Sequence, residues 1–164
     1  MDYEETVMAG ELHKQLVATA EKWLKYRCVL PHTNLKRENL QRFPVKCAIV
    51  LTEIVTAANE TPDAIGWWCG TSVLIEVKVS RSDYYRDKTK FSRRVTGYGI
   101  GNYRYYMTPP GLLVQKNMPE GWGLLEVDGK KVNVVKLPTY HDSNVEDEKR
   151  ILLSVIRRMM QKSP

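Results

Sequence analysis

The run Val73-Leu-Ile-Glu-Val-Lys-Val-Ser80 constrains this chain more than any other segment. Its β-branched and aliphatic content predicts a strand, and successive side chains of a strand point to opposite faces. Val73, Ile75, Val77 and Val79 then share one face and should pack under a helix. Leu74, Glu76, Lys78 and Ser80 share the other. Two opposite charges placed two residues apart on so apolar a strand are costly unless each is paired or bound to a metal.

The surrounding pattern predicts an α/β domain. Residues 4–27 read as an amphipathic helix, with Leu12, Leu16, Ala20, Trp23 and Leu24 at helical spacing. Residues 32–44 are polar and proline-bounded, hence a loop. Residues 47–57 are rich in β-branched types and read as a strand. A turn over 59–62 leads to a second strand over 63–68, and a tight connection over 69–72 leads to the run at 73–80. A helix over 82–95 is entered through Ser80-Arg-Ser-Asp83, which has capping-box spacing. Residues 102–108 form a further strand. Residues 122–137 read as a hairpin closed by Asp128-Gly129. Ser143-Asn-Val-Glu146 caps a last helix with Ile151, Leu152, Val155 and Ile156 inside. With 164 residues and no repeat or linker, one domain over 1–164 is expected. Its class is a mixed central sheet flanked by helices.

The chain carries 25 Lys and Arg against 19 Asp and Glu, a net +6 that suits a polyanionic partner. Cys28, Cys47 and Cys69 form no C-x-x-C pair, so neither a zinc cluster nor a redox dithiol is signalled. An odd, sparse set fits reduced thiols. The opening Met1-Asp-Tyr-Glu-Glu5 is acidic where a signal peptide is basic, and no run reaches the ~18 apolar residues of a membrane span. A cytoplasmic protein without membrane contact is expected. His13, His32 and His141 are scattered and receive no role. Trp67, Trp68 and Trp122 read as packing residues rather than stacking platforms.

With residues 69–72 as the connection, Trp68 faces Val73 and Asp63 faces Lys78. That register places Asp63 diagonal to Glu76, on the same side of the sheet. Diagonal neighbours lie ~7–8 Å apart, close enough for two carboxylates to hold one hard cation such as Mg²⁺. A slip of one residue would send Asp63 to the other face.

These residues carry a resemblance. Pro62-Asp63 followed by Glu76-Val-Lys78 resembles the PD-(D/E)xK nuclease superfamily, and the order helix, three strands, helix, strand is similar to its core. Other segments resemble its small stand-alone DNA-repair branch, the MmcB-like proteins. They are Glu53 in Thr-Glu-Ile, Glu76-Val-Lys-Val-Ser-Arg-Ser-Asp83, Tyr103-Arg-Tyr-Tyr-Met-Thr-Pro-Pro-Gly111 and Pro119-Glu-Gly-Trp-Gly-Leu-Leu-Glu126. The resemblance covers residues 47–137. It implies a restriction-endonuclease-like αβββαβ core plus a C-terminal hairpin and helix. It implies a DNA phosphodiester hydrolase of repair, recombination or processing, in a bacterium or its virus. Asp63, Glu76 and the Val77 carbonyl would hold Mg²⁺, with Mn²⁺ able to substitute. Lys78 would act on the attacking water or the developing charge, and Glu53 would be a further ligand through water or an orienting group.

Residues 81–104 hold Arg81, Arg86, Lys88, Lys90, Arg93, Arg94 and Arg104 against Asp83 and Asp87, nearly the whole charge excess of the chain. On a helical wheel Arg86, Lys90, Arg93 and Arg94 share a face suited to tracking a phosphate backbone, with Arg81 at its start. A catalytically silent nuclease fold that binds nucleic acid or protein is the competing reading. RNA as substrate and association of two copies both stay open.

Overall fold

The computed structural model describes residues 3–31, 42–54, 61–90 and 98–162. Helix α1 (Tyr3–Tyr26) opens the chain, followed by strands β1 (Cys28–Pro31), β2 (Arg42–Val45), β3 (Ile49–Thr52), β4 (Ala64–Trp68) and β5 (Thr71–Val77). Helix α2 (Arg81–Lys88) leads to β6 (Tyr103–Thr108), then β7 (Gly123–Asp128), β8 (Lys131–Lys136) and α3 (Val145–Lys162). Six strands form one mixed sheet in the order β3-β4-β5-β6-β7-β8. The pairs β3–β4, β4–β5 and β7–β8 are antiparallel, while β5–β6 and β6–β7 are parallel.

The alternation along β5 sorts its side chains as its sequence requires. Val73, Ile75 and Val77 join Leu16, Ala20, Trp23 and Leu24 of α1 in one apolar cluster, with Tyr105 and Met107 of β6. Leu74 points the other way, into a second cluster with Tyr84 of α2, Tyr106, Trp122, Leu124 and Ile151 of α3. Burying each large aliphatic side chain here stabilises the fold by ~1.5–3 kcal/mol. Trp122 stacks on Tyr106 at a 4.4 Å centroid distance, so it is a packing residue. Tyr105 meets Trp23 edge-on at 5.4 Å.

Several expectations shift. The connection between β4 and β5 is the two-residue turn Cys69-Gly70, with φ of +47° and +78°. That primed-turn geometry suits the right-handed twist of a hairpin. It pairs Trp68 with Thr71 and Ala64 with Ile75, two positions from the expected register. A shift of two keeps every side chain on its face, so Asp63 stays beside Glu76. The 28–31 segment and the end of the expected 32–44 loop form a separate antiparallel pair, β1–β2. Flanking prolines and a polar intervening stretch hide so short a hairpin from pattern reading. Residues 32–41 lie outside the described residues, as do 55–60, which include the end of the expected 47–57 strand. β3 ends early because Glu53 takes a φ of +48°.

Ser80 caps α2 as expected, its hydroxyl accepting from the Asp83 N–H at 3.2 Å. The helix ends at Lys88, short of residue 95, and 91–97 lie outside the described residues. The hairpin loop is Gly129-Lys130, since Asp128 pairs with Lys131, one residue later than expected. The α3 cap is Asn144, whose Oδ1 accepts from the Asp147 N–H, because Ser143 is committed to Glu148. Ile151 is buried, but Ile156 is half exposed. No described helix is long and apolar enough to cross a membrane. Cys28, Cys47 and Cys69 are free thiols.

Candidate active site

Asp63 stands immediately before β4, where the β4–β5 ladder continued by one pair sets it opposite Glu76. Its Oδ2 accepts from the Val77 N–H at 2.8 Å. That bond fixes the carboxylate against the next strand. Glu76 is fully surrounded by protein at 3% exposure. Lys78 follows the last ladder residue of β5, and its N–H donates to the Met107 carbonyl at 3.0 Å. Its Nζ lies 3.5 Å from Glu76 Oε2. Asp63, Glu76 and Lys78 are thus brought together at one end of the sheet. Val77 is the buried residue between them, and its N–H rather than its carbonyl meets a site carboxylate.

The structure adds groups that pattern reading missed. Lys78 Nζ lies 3.8 Å from Asp83 and 3.7 Å from Asp87, both on α2. Asp87 is buried, accepts from the Tyr106 hydroxyl at 2.9 Å and pairs with Lys90 Nζ at 2.8 Å. His13 of α1 approaches Asp63 Oδ1 at 3.5 Å. The spacing of Asp83 and Asp87 puts them on one face of α2, with Lys90 just past its end, a signal legible in the sequence. His13 carries no such signal, since its neighbour is 50 positions away along the chain.

Electrostatics follow from this crowding. Burial pushes the Glu76 carboxyl up to about 8, the Asp63 charge adds to the shift, and Lys78 opposes it. Burial also raises Asp63, against the Val77 N–H, Lys78 and His13. Burial disfavours the Lys90 ammonium, but the Asp87 hydrogen bond and charge outweigh it and raise that group. Four carboxylates, Asp63, Glu76, Asp83 and Asp87, face two lysines, Lys78 and Lys90. Fully ionised, the centre has an excess of two negative charges, which burial makes expensive.

Glu53 lies beside Asp63 through its main chain, its N–H donating to the Asp63 carbonyl at 3.1 Å. Its side chain is exposed and forms no hydrogen bond or ion pair among the described residues. The expected basic face is only partly present. Arg86 is exposed. Arg81 is exposed too, with Nε donating to the Leu112 carbonyl at 3.1 Å. Lys90 turns to Asp87, and Lys88 donates to the Asn117 carbonyl at 2.5 Å. Arg104 is 2% exposed and donates to the Gly99 and Gly101 carbonyls, so it braces a glycine loop instead of facing a partner. Arg93 and Arg94 lie outside the described residues.

A cation fits the chemistry of Asp63 and Glu76, two hard oxygen donors in a buried site with excess negative charge. Mg²⁺ commonly takes one or two carboxylates and fills its remaining positions with water and phosphate. Among the described residues no group of three His, Cys, Asp or Glu side chains is disposed to hold a metal. The protein's share of a coordination shell would therefore be this pair, with main-chain oxygen.

No family profile matches the chain, and no curated protein matches it. Among solved structures it is similar to a protein of unknown function from Silicibacter pomeroyi, at 18% identity and a TM-score of 0.48. That match covers 68% of this chain and 76% of the other.

Proposed function

We propose that this chain is a Mg²⁺-dependent nuclease that hydrolyses DNA phosphodiester bonds, built on a PD-(D/E)xK-like core. The observation that carries the reading is the meeting of Asp63, Glu76 and Lys78 at one end of β4 and β5. Supporting it is the order of α1, the antiparallel β3-β4-β5, α2 and a parallel β6, which is similar to the restriction-endonuclease-like core.

Asp63 and Glu76 would hold the cation, together with the Val77 carbonyl. A divalent ion in that place supplies compensation for phosphate charge and makes a neighbouring water more acidic. Lys78 serves the reacting end of the substrate, its ammonium lying within 3.5–3.8 Å of Glu76 and both α2 aspartates. It holds the attacking water or offsets charge on the phosphate as the bond breaks. Asp87, held by Tyr106 and Lys90, positions that ammonium. Arg81 and Arg86 remain to meet phosphates away from the cut.

Metal-dependent cleavage assays on single-stranded, duplex and flapped DNA, with RNA alongside, test the proposal. Cleavage of DNA with Mg²⁺ or Mn²⁺, lost in EDTA, is the expected result. Lys78→Ala should lower turnover ~10²-fold or more with affinity nearly intact. Asp63→Asn should abolish the rise in melting temperature that Mg²⁺ gives the native protein. Full activity of Lys78→Ala would end the mechanism. A catalytically silent nuclease fold is the second reading, favoured by the ion pairing of Lys78 with three carboxylates. It would show as DNA binding without cleavage.

A further inference from the structure

We propose that a cavity beside α2 receives an unstacked nucleobase of the strand being cut, an inference that rests on the nuclease reading. The cavity encloses about 90 Å³ and opens to solvent between α2 and the segment after β6. Leu112, Leu113 and Val114 supply its apolar walls, and Tyr84 and Tyr85 its aromatic surface. Arg81 and Asn117 are its polar groups.

The lining is preformed. Tyr84 is buried, its ring 5.1 Å from Tyr106 and its hydroxyl donating to the Asn117 carbonyl at 2.9 Å. Lys88 donates to that same carbonyl, and Arg81 Nε ties the Leu112 carbonyl to the start of α2. The main chain of the loop is thereby anchored to the helix from two sides. What remains exposed is of another character. Tyr85 keeps 52% of its surface and Val114 49%. Its neighbour Tyr84 covers part of the Tyr85 ring at 5.4 Å, and Asn117 is an exposed residue.

A planar aromatic heterocycle matches this set. Its faces would use the Tyr85 ring and the aliphatic walls, its edge donors and acceptors would meet the Asn117 amide, and its phosphate would lie near Arg81. An aliphatic peptide side chain would leave the amide and the guanidinium without purpose, and a bare phosphate would not use Tyr85. Position agrees. Arg81 follows Lys78 by three residues, so their backbones are at most ~10–11 Å apart, within reach of a nucleotide beside the cut. Tyr106 links the two places, touching Tyr84 on one side and Asp87 on the other. A base can enter only when unpaired, so strands with frayed, flapped or single-stranded character should bind in preference to intact duplex.

The test uses the full chain in EDTA, so that binding is read without cleavage. Two fluorescent probes of equal charge are compared by anisotropy: a thymidine oligonucleotide of about twelve residues and its fully abasic counterpart. The native protein should prefer the probe with bases by about tenfold. Tyr85→Ala should bind both alike, with the salt dependence of affinity unchanged because no phosphate contact is lost. Tyr85→Trp should keep the preference. If the native protein and Tyr85→Ala discriminate equally, or neither discriminates, while Mg²⁺-dependent cleavage persists, the pocket assignment is wrong and the nuclease reading stands. If the protein neither binds nor cuts any probe, both fall.

Discussion

Glu76 decides much of the behaviour of the site. Its carboxyl is raised from an ordinary 4.5 to about 8, so the folded protein keeps a proton there that the unfolded chain has already released. Between those two values the folded state binds more protons, and stability falls as pH rises. Above about 8 the dependence from this group levels off. The metal-free protein should therefore lose melting temperature from mildly acidic to mildly alkaline pH, and Glu76→Gln should flatten that slope. Asp63 is raised by the same burial and acts with the same sign. A cation held as proposed would compete with those protons, so any stabilisation by Mg²⁺ should grow with pH. Thermal unfolding in EDTA and in Mg²⁺ across this range reads both effects. A slope unchanged by Glu76→Gln would place the buried proton elsewhere.

Among the elements, the β4–β5 hairpin and the two helices on its second face set the geometry. Gly70 occupies a turn position at φ +78°, and that short turn fixes the pairing that brings Asp63 opposite Glu76. α3 is clamped to the sheet through Glu148. Its carboxylate accepts from Ser72 Oγ at 2.6 Å, from the Gly101 N–H at 2.9 Å and from Trp67 Nε1 at 2.9 Å, and it also bonds Ser143. Gly101 suits this place, because a Cβ there would meet Leu74 Cβ at 2.6 Å. Glu148→Ala strips several donors of their acceptor at once and should cost ~2–4 kcal/mol. Denaturant unfolding measures it. A change below ~0.5 kcal/mol would show that water replaces the carboxylate.

At the scale of the molecule, the described basic residues of 81–104 do not all share one face. Arg86 is exposed on α2, whereas Lys90 belongs to the Asp87 pair and Arg104 to the core. Arg86→Ala should lower DNA affinity and reduce the slope of log affinity against log salt by ~0.7–0.9. Lys90→Ala should leave that slope nearly intact and act on the site, by releasing Asp87 toward Lys78. Titrations at several salt concentrations separate the two. Equal loss of slope for both would return Lys90 to the phosphate-contacting set.

The sequence by itself determined the elements whose signals are local. The apolar stripe from Leu12 to Leu24, the β5 alternation that puts Glu76 and Lys78 on one face, and the Ser80 cap all depend on neighbours within a few positions. Face assignment also survived a register error, because strand periodicity is two and the error was two. Only the tertiary structure decided the rest. His13 reaches Asp63 from α1, Tyr106 reaches Asp87 across the second core cluster, and Glu148 gathers donors from three segments of the chain. Whether Lys90 or Arg104 faces a partner or the protein's own interior depends on where distant backbone carbonyls and carboxylates come to lie. A charge on a helical wheel carries no mark of its eventual counter-ion. Burial supplies that mark, because it penalises every polar group left without a partner and so selects among contacts that local sequence cannot rank.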